Sequence, residues 1–157
     1  MLHKLMKKIR NPAWLCFSWF GISLGIAGIA TPVRFATPSL SREVAADVGQ
    51  AVFLALNKVE LGLLVALLIL VRVSGRAKDY LVPGASLALI VIIQSAWLLP
   101  ELAARADMIA AGDSPPETMA HSLYSALEIV KYAMLFWIGF TALGDESRAS
   151  SSASGAR

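Results

Sequence analysis

Apolar runs long enough to cross a hydrocarbon core recur four times along the chain, at residues 13–32, 51–71, 81–99 and 122–143, with polar and charged residues gathered between them. Runs of about 20 residues, at about 1.5 Å per helical residue, match a core roughly 30 Å thick. The pattern predicts an all-α, integral membrane four-helix bundle over residues 13–143. It is preceded by a basic arm at residues 1–12 and followed by a Ser-, Ala- and Gly-rich tail at residues 144–157 that reads as disordered and cytoplasmic. Composition points the same way: the 157 residues are 57% hydrophobic and 16% charged, whereas soluble domains average about 45–50% and about 25%. A soluble fold is excluded on that ground.

Local signals mark the helix ends. Thr37-Pro38 reads as an N-cap followed by proline at the first helical position, and Ser114-Pro115-Pro116-Glu117 as a capping box, so helices two and four are expected to start there and project beyond the bilayer. Lys4, Lys7, Lys8, Arg10, Arg72, Arg76, Lys78, Arg148 and Arg157 fall on one side of the predicted spans, against Arg34, Arg42 and Arg105 on the other. That bias places both termini in the cytoplasm and the chain in the cytoplasmic membrane. The net charge of +3 then reflects topology and contact with anionic lipid, and no nucleic-acid partner is implied. The first span reads as a retained helix, because it exceeds the roughly 7–15 residues of a signal-peptide apolar region. Leu15 before the single cysteine, Cys16, argues against a lipoprotein signal, and one cysteine permits neither an intrachain disulfide nor a thiolate metal cage.

Four ionisable residues, Lys58, Glu60, Glu128 and Lys131, interrupt the second and fourth spans. A central charge costs about 2.5–3.5 kcal/mol on insertion scales, so opposite charges at that depth are expected to pair. Glu60 lies 11 residues before the end of span two and Lys131 lies 12 before the end of span four, which sets both near the midplane as an ion pair. The same count sets Asn57 beside Glu128 as hydrogen-bond partners. Lys58, about 100° round the helix, points away and snorkels.

Helix four carries His121, Tyr124, Ser125, Glu128, Lys131 and Tyr132 on one face. Beyond Lys131 it is apolar, as is helix two beyond Glu60, so the polar stripe predicts a pocket that opens outward and ends at the midplane; Gln94 in helix three is placed to line the same vestibule. His121 reads as a solvated or capping histidine. Ser18, Gly21, Gly25 and Gly28 read as a close-packing face of helix one, and Trp14, Trp19, Trp97 and Trp137 as interface anchors or packing. A short internal repeat lays Ala55-Leu56-Asn57-Lys58-Val59-Glu60 on Ala126-Leu127-Glu128-Ile129-Val130-Lys131, as two parallel hairpins would.

Two function classes remain open. One is a binding or transport-accessory protein that holds a small polar ligand, ion or lipid head group at Asn57, Lys58, Glu60, Gln94, His121, Tyr124, Glu128 and Lys131. The other is a structural or assembly subunit of a larger membrane complex, in which the buried charges fix helix register. The expected partners are the bilayer and either another membrane protein or a second copy. No metalloprotease helix, phosphate loop or nucleophile elbow occurs in the chain, so no catalytic residue, metal or cofactor is expected.

The Gly-rich first helix, the exits Thr31-Pro32-Val33-Arg34-Phe35 and Leu99-Pro100-Glu101-Leu102-Ala103-Ala104-Arg105, and His121 at the head of helix four resemble the four-helix bacterial membrane proteins of a domain-of-unknown-function family related to transmembrane protein 205. The resemblance covers nearly all of residues 13–143 and implies a multi-pass membrane protein of unestablished activity. Asn57, Lys58, Glu128 and Lys131 map onto no motif of that family.

Overall fold

Proline shapes both odd-numbered helices of the bundle. In this computed structural model, which describes residues 11–74 and 78–154, four helices follow one another: α1 (Ala13–Ala36), α2 (Arg42–Val73), α3 (Leu81–Ala110) and α4 (Ala120–Ser154). All four are long and apolar enough to cross a membrane. Within α1 the segment Leu24–Ala30 is π-helical, and within α3 the segment Gln94–Leu98 is. Pro32 and Pro100 follow at once. A proline in a helix lacks its N–H and clashes with the carbonyl four residues back, and a wider turn relieves both faults. Thr31 and Leu99 accordingly donate their N–H groups five residues back, to the Ile26 and Gln94 carbonyls. The expected ends of spans one and three at these prolines are therefore bulges inside continuous helices.

The helix starts also differ from the sequence expectation. Thr37 closes α1: its ψ is 114°, its N–H reaches the Arg34 carbonyl and its hydroxyl the Val33 carbonyl. The ring of Pro38 keeps the preceding residue out of helical geometry. Ser41 caps α2, accepting from the Val44 N–H at 3.3 Å. The capping box expected at Ser114 is not formed; Thr118, whose hydroxyl accepts from the Ala120 N–H and donates to Glu101, precedes α4 instead. The stretch with two prolines before Glu117 has no helical structure. Gly112, at φ 87°, ends α3 in a Schellman turn, with its own N–H on the Ile109 carbonyl and that of Asp113 on the Met108 carbonyl. The disordered tail expected from residue 144 is helical as far as Ser154, since no proline interrupts the ladder and one glycine costs a helix only about 1 kcal/mol. Most of the basic arm, with Arg76 and Arg157, lies outside the described residues.

Asn11 donates its side-chain amide to the Ala142 carbonyl, so α1 begins beside the cytoplasm-predicted half of α4. The bundle thus has a terminal end and a loop end, the latter carrying the α1–α2 and α3–α4 connections. Lipid tails are as apolar as leucine, so close packing holds such helices together more than solvent exclusion does. The terminal half is well packed: Trp19, Leu67, Leu87, Val91, Leu135 and Ile138 form one buried core, with Tyr80 from the α2–α3 connection. Phe17 sits edge-on to Phe136 and Phe140, and Phe20 edge-on to Tyr132 and Phe136, forming an aromatic seam between α1 and α4. Gly139 makes room for it, since a Cβ there would lie 2.8 Å from the Phe17 ring. The expected glycine face of α1 takes no part. Ser18 and Gly21 are exposed, and a Cβ on Gly21 or Gly25 would meet nothing within 4 Å.

Candidate functional site

Six side chains from all four helices converge where the packed half ends. Glu60 Oε1 accepts from Trp19 Nε1 at 2.9 Å, Ser23 Oγ at 2.7 Å and Lys131 Nζ at 2.6 Å. Lys131 also donates to Glu128 Oε1, and to Gln94 Oε1 at 3.3 Å, which employs all three of its N–H groups. Gln94 in turn donates to Glu128 Oε1 at 3.1 Å and reaches the Tyr124 carbonyl at 3.5 Å. Ser23, Glu60, Gln94 and Lys131 are at most 1% exposed and Glu128 is 5% exposed. A buried charge is tolerated when it is paired and its remaining donors are satisfied, and Lys131 meets both conditions.

The expected Glu60–Lys131 pair is therefore present, at the expected register. Phe53 and Tyr124 meet edge-on at 5.9 Å with the same sequence offset of 71 as Glu60 and Lys131, so α2 and α4 run level with each other as the internal repeat implied. Asn57 does not reach Glu128. It donates to Ser95 Oγ at 2.6 Å, because α3 rather than α4 flanks that face of α2. Lys58 is exposed on the bundle exterior and joins no part of the network. The expected charge balance of two pairs is lost with it: the interior holds two carboxylates and one ammonium. Gln94 belongs to the network and does not line the vestibule.

Above the network, in the loop half, the four helices enclose a cavity of about 440 Å³. Glu128 and Tyr132 lie at its network end and Tyr124, Ser125 and His121 follow along α4, so five of the six residues in the polar stripe line it. His121 is exposed, and Tyr124 is buried. The buried core below Glu60 and Lys131 closes the cavity off, as the apolar lower helices predicted.

Two further lining groups, Arg34 and Arg105, were not anticipated at the pocket. Arg34 lies half-buried with its guanidinium against α2 at Gly49, where a Cβ would fall 2.3 Å from Nη2 and 2.5 Å from Cζ. Only glycine leaves that space. Arg105 also lines the cavity, with one N–H on the Pro116 carbonyl. Trp19 and Ser23 likewise escaped notice as ligands of Glu60; their spacing of four residues on one helix face was the available signal.

Among the described residues, the buried side-chain polar atoms without a hydrogen-bond partner are Arg34 Nε, Glu128 Oε2 and Tyr132 Oη, and all three residues line this cavity. Buried polar groups are nearly always satisfied in folded proteins; Tyr132 and Glu128 face each other at the network end, while Arg34 Nε stands apart, so unmet polar demand remains at both ends of the space. No group of three or more His, Cys, Asp or Glu side chains suited to a metal ion occurs among the described residues. No family model matches the chain, nor does a curated protein or a solved structure.

Proposed function

We propose that this chain is a multi-pass protein of the cytoplasmic membrane, with both termini in the cytoplasm, and that its loop-half cavity binds a small polar ligand, ion or lipid head group in a binding or transport-accessory role. The three orphan polar atoms around that cavity carry the reading. A purely structural charge cluster has no use for an unpartnered carboxylate oxygen beside open space, whereas a binding site needs one. The orientation rests on the excess of Lys and Arg on the terminal side. Membership of the family related to transmembrane protein 205 belongs to the same proposal and rests on the two proline-containing helix exits. Charge-neutral Glu128→Gln tests the binding role: ligand retention is expected to fall while the helical fold persists, and unchanged retention contradicts it.

A second reading, an assembly subunit of a larger membrane complex, draws on the stripe of Ser18, Gly21 and Gly25, where a Cβ on either glycine meets nothing within 4 Å among the described residues. Small residues of this kind allow another helix to approach closely. Stoichiometric co-purification of a second membrane protein, lost in Gly21→Leu, supports it; a lone chain in mild detergent counts against it.

A further inference from the structure

The cavity has opposite electrostatic demands at its two ends, and this narrows its occupant. At the network end Glu60, Glu128 and Lys131 leave one negative charge in excess when both carboxylates are ionised. Glu128 Oε2 is the oxygen with no donor in place; the Tyr132 hydroxyl faces this carboxylate but brings no charge, and Lys131 cannot serve it without abandoning Glu60, Glu128 Oε1 or Gln94. A ligand ammonium supplies both the missing donor and the missing charge. At the other end the Arg34 guanidinium, held against Gly49, has its Nε unpartnered, and Arg105 lines the same space. Guanidinium forks favour phosphate or carboxylate. Resting on the pocket reading above, we infer that the occupant is a zwitterion, an ammonium group joined by a short linker to a phosphate or carboxylate, as in an aminophospholipid head group.

The spacing agrees. The offset of 71 between α2 and α4 sets Gly49 level with Ala120, eight residues before Glu128, or about 12 Å along the axis. Side chains lean toward the helix N-terminus, so the Glu128 carboxylate rises toward the cavity and shortens that gap. With charge-assisted hydrogen bonds of about 2.8 Å at each end, an axial gap of roughly 6 Å remains for the ligand, the reach of an ammonium on a two-carbon linker to a phosphate oxygen. A simple anion leaves the excess negative charge at Glu128 uncompensated, and a simple cation leaves Arg34 Nε without an acceptor. Phe35, Leu54 and Ile129 line the cavity and are also exposed, Ile129 at 68%. The space therefore reaches the lipid-facing surface, where acyl chains can remain in the bilayer while the head group turns inward.

The test uses native mass spectrometry of the full chain in nanodiscs containing equal parts of phosphatidylethanolamine, phosphatidylcholine and phosphatidylglycerol, with free phosphoethanolamine as competitor. Phosphatidylethanolamine adducts are expected to exceed each of the others by about tenfold, because a trimethylated ammonium donates no N–H and a glycerol head carries no positive charge. The preference should disappear in Glu128→Gln and weaken in Arg34→Gln. Gly49→Ala, which displaces Arg34 without altering any charge, should act like Arg34→Gln, and circular dichroism establishes that each variant is folded. Displacement by phosphoethanolamine at low concentration supports the same chemistry from a soluble source. Equal or greater retention of phosphatidylglycerol, or a preference untouched by Glu128→Gln, overturns the zwitterion and leaves a pocket for another ligand. The absence of any specific adduct on the wild-type chain overturns the pocket with it.

Discussion

Lys131 Nζ lies 2.6 Å from Glu60 Oε1, joining α4 to α2 at a depth where neither charge has access to water. Glu60 receives two further hydrogen bonds from α1, and Lys131 reaches α3 through Gln94, so one ion pair ties together all four helices. Breaking such a pair leaves an uncompensated buried charge, which is far more destabilising than removing the pair whole.

Lys131→Met should therefore destabilise the bundle by about 3–5 kcal/mol, read from denaturant unfolding in detergent. Glu60→Gln combined with Lys131→Met should recover part of that loss, since Glu128 still lacks its ammonium partner. A single and a double variant of equal stability contradict a tightly coupled pair.

Trp19→Phe removes the indole N–H while Glu60 Oε1 keeps Ser23 and Lys131 as donors. The expected loss is about 1 kcal/mol, at the modest end for a bond to a charged group because interhelical bonds in membranes are weak. The same unfolding experiment checks it. A loss as large as that of Lys131→Met assigns Trp19 a packing role much greater than its hydrogen bond.

Two glycines of α2 should respond differently to alanine. At Gly62 a Cβ meets nothing within 4 Å, so the lower conformational entropy of alanine stabilises by about 0.5–1 kcal/mol. At Gly49 the new methyl strikes the Arg34 guanidinium, a flexible group that swings aside, so stability changes by less than about 1 kcal/mol while ligand retention falls. Loss of retention in Gly62→Ala, or none in Gly49→Ala, contradicts the placement of Arg34.

Cys16 is fully buried, so the folded chain should resist a membrane-impermeant maleimide and provide a clean background for topology mapping. Cysteines placed at the exposed Ser39 and Ser114 are expected to label on intact cells, and one at Lys78 only after permeabilisation. The reverse pattern inverts the proposed orientation.

Much of this was legible from apolar run length and charge depth. Four spans, the Glu60–Lys131 pair and a cavity closed below the charges emerge from counting residues along helices two and four, which are free of proline. Helices one and three defeat the same counting, because each π segment inserts an extra residue into a turn and rotates the remainder of the helix by roughly 100°. The face holding Gly21 and Gly25 was misjudged because residue spacing does not say which side of a helix has a neighbour, and Gln94, first residue of a π segment, joins the network instead of the vestibule. Lys58 and Glu60 share a stretch of helix, but only the packing of neighbouring helices decides which one is enclosed. Arg34 looked like an external loop charge, since nothing in the local sequence pairs it with a glycine 15 residues later.

The most direct test of the central claim is a native mass spectrum of the chain extracted in mild detergent from its own membrane, recorded for wild type, Glu128→Gln and Lys58→Met. The account predicts a bound molecule on wild type and on Lys58→Met, whose lysine lies outside the network, and its loss in Glu128→Gln. A wild-type spectrum without a bound molecule, or one matched by Glu128→Gln, would contradict a binding site above Glu128.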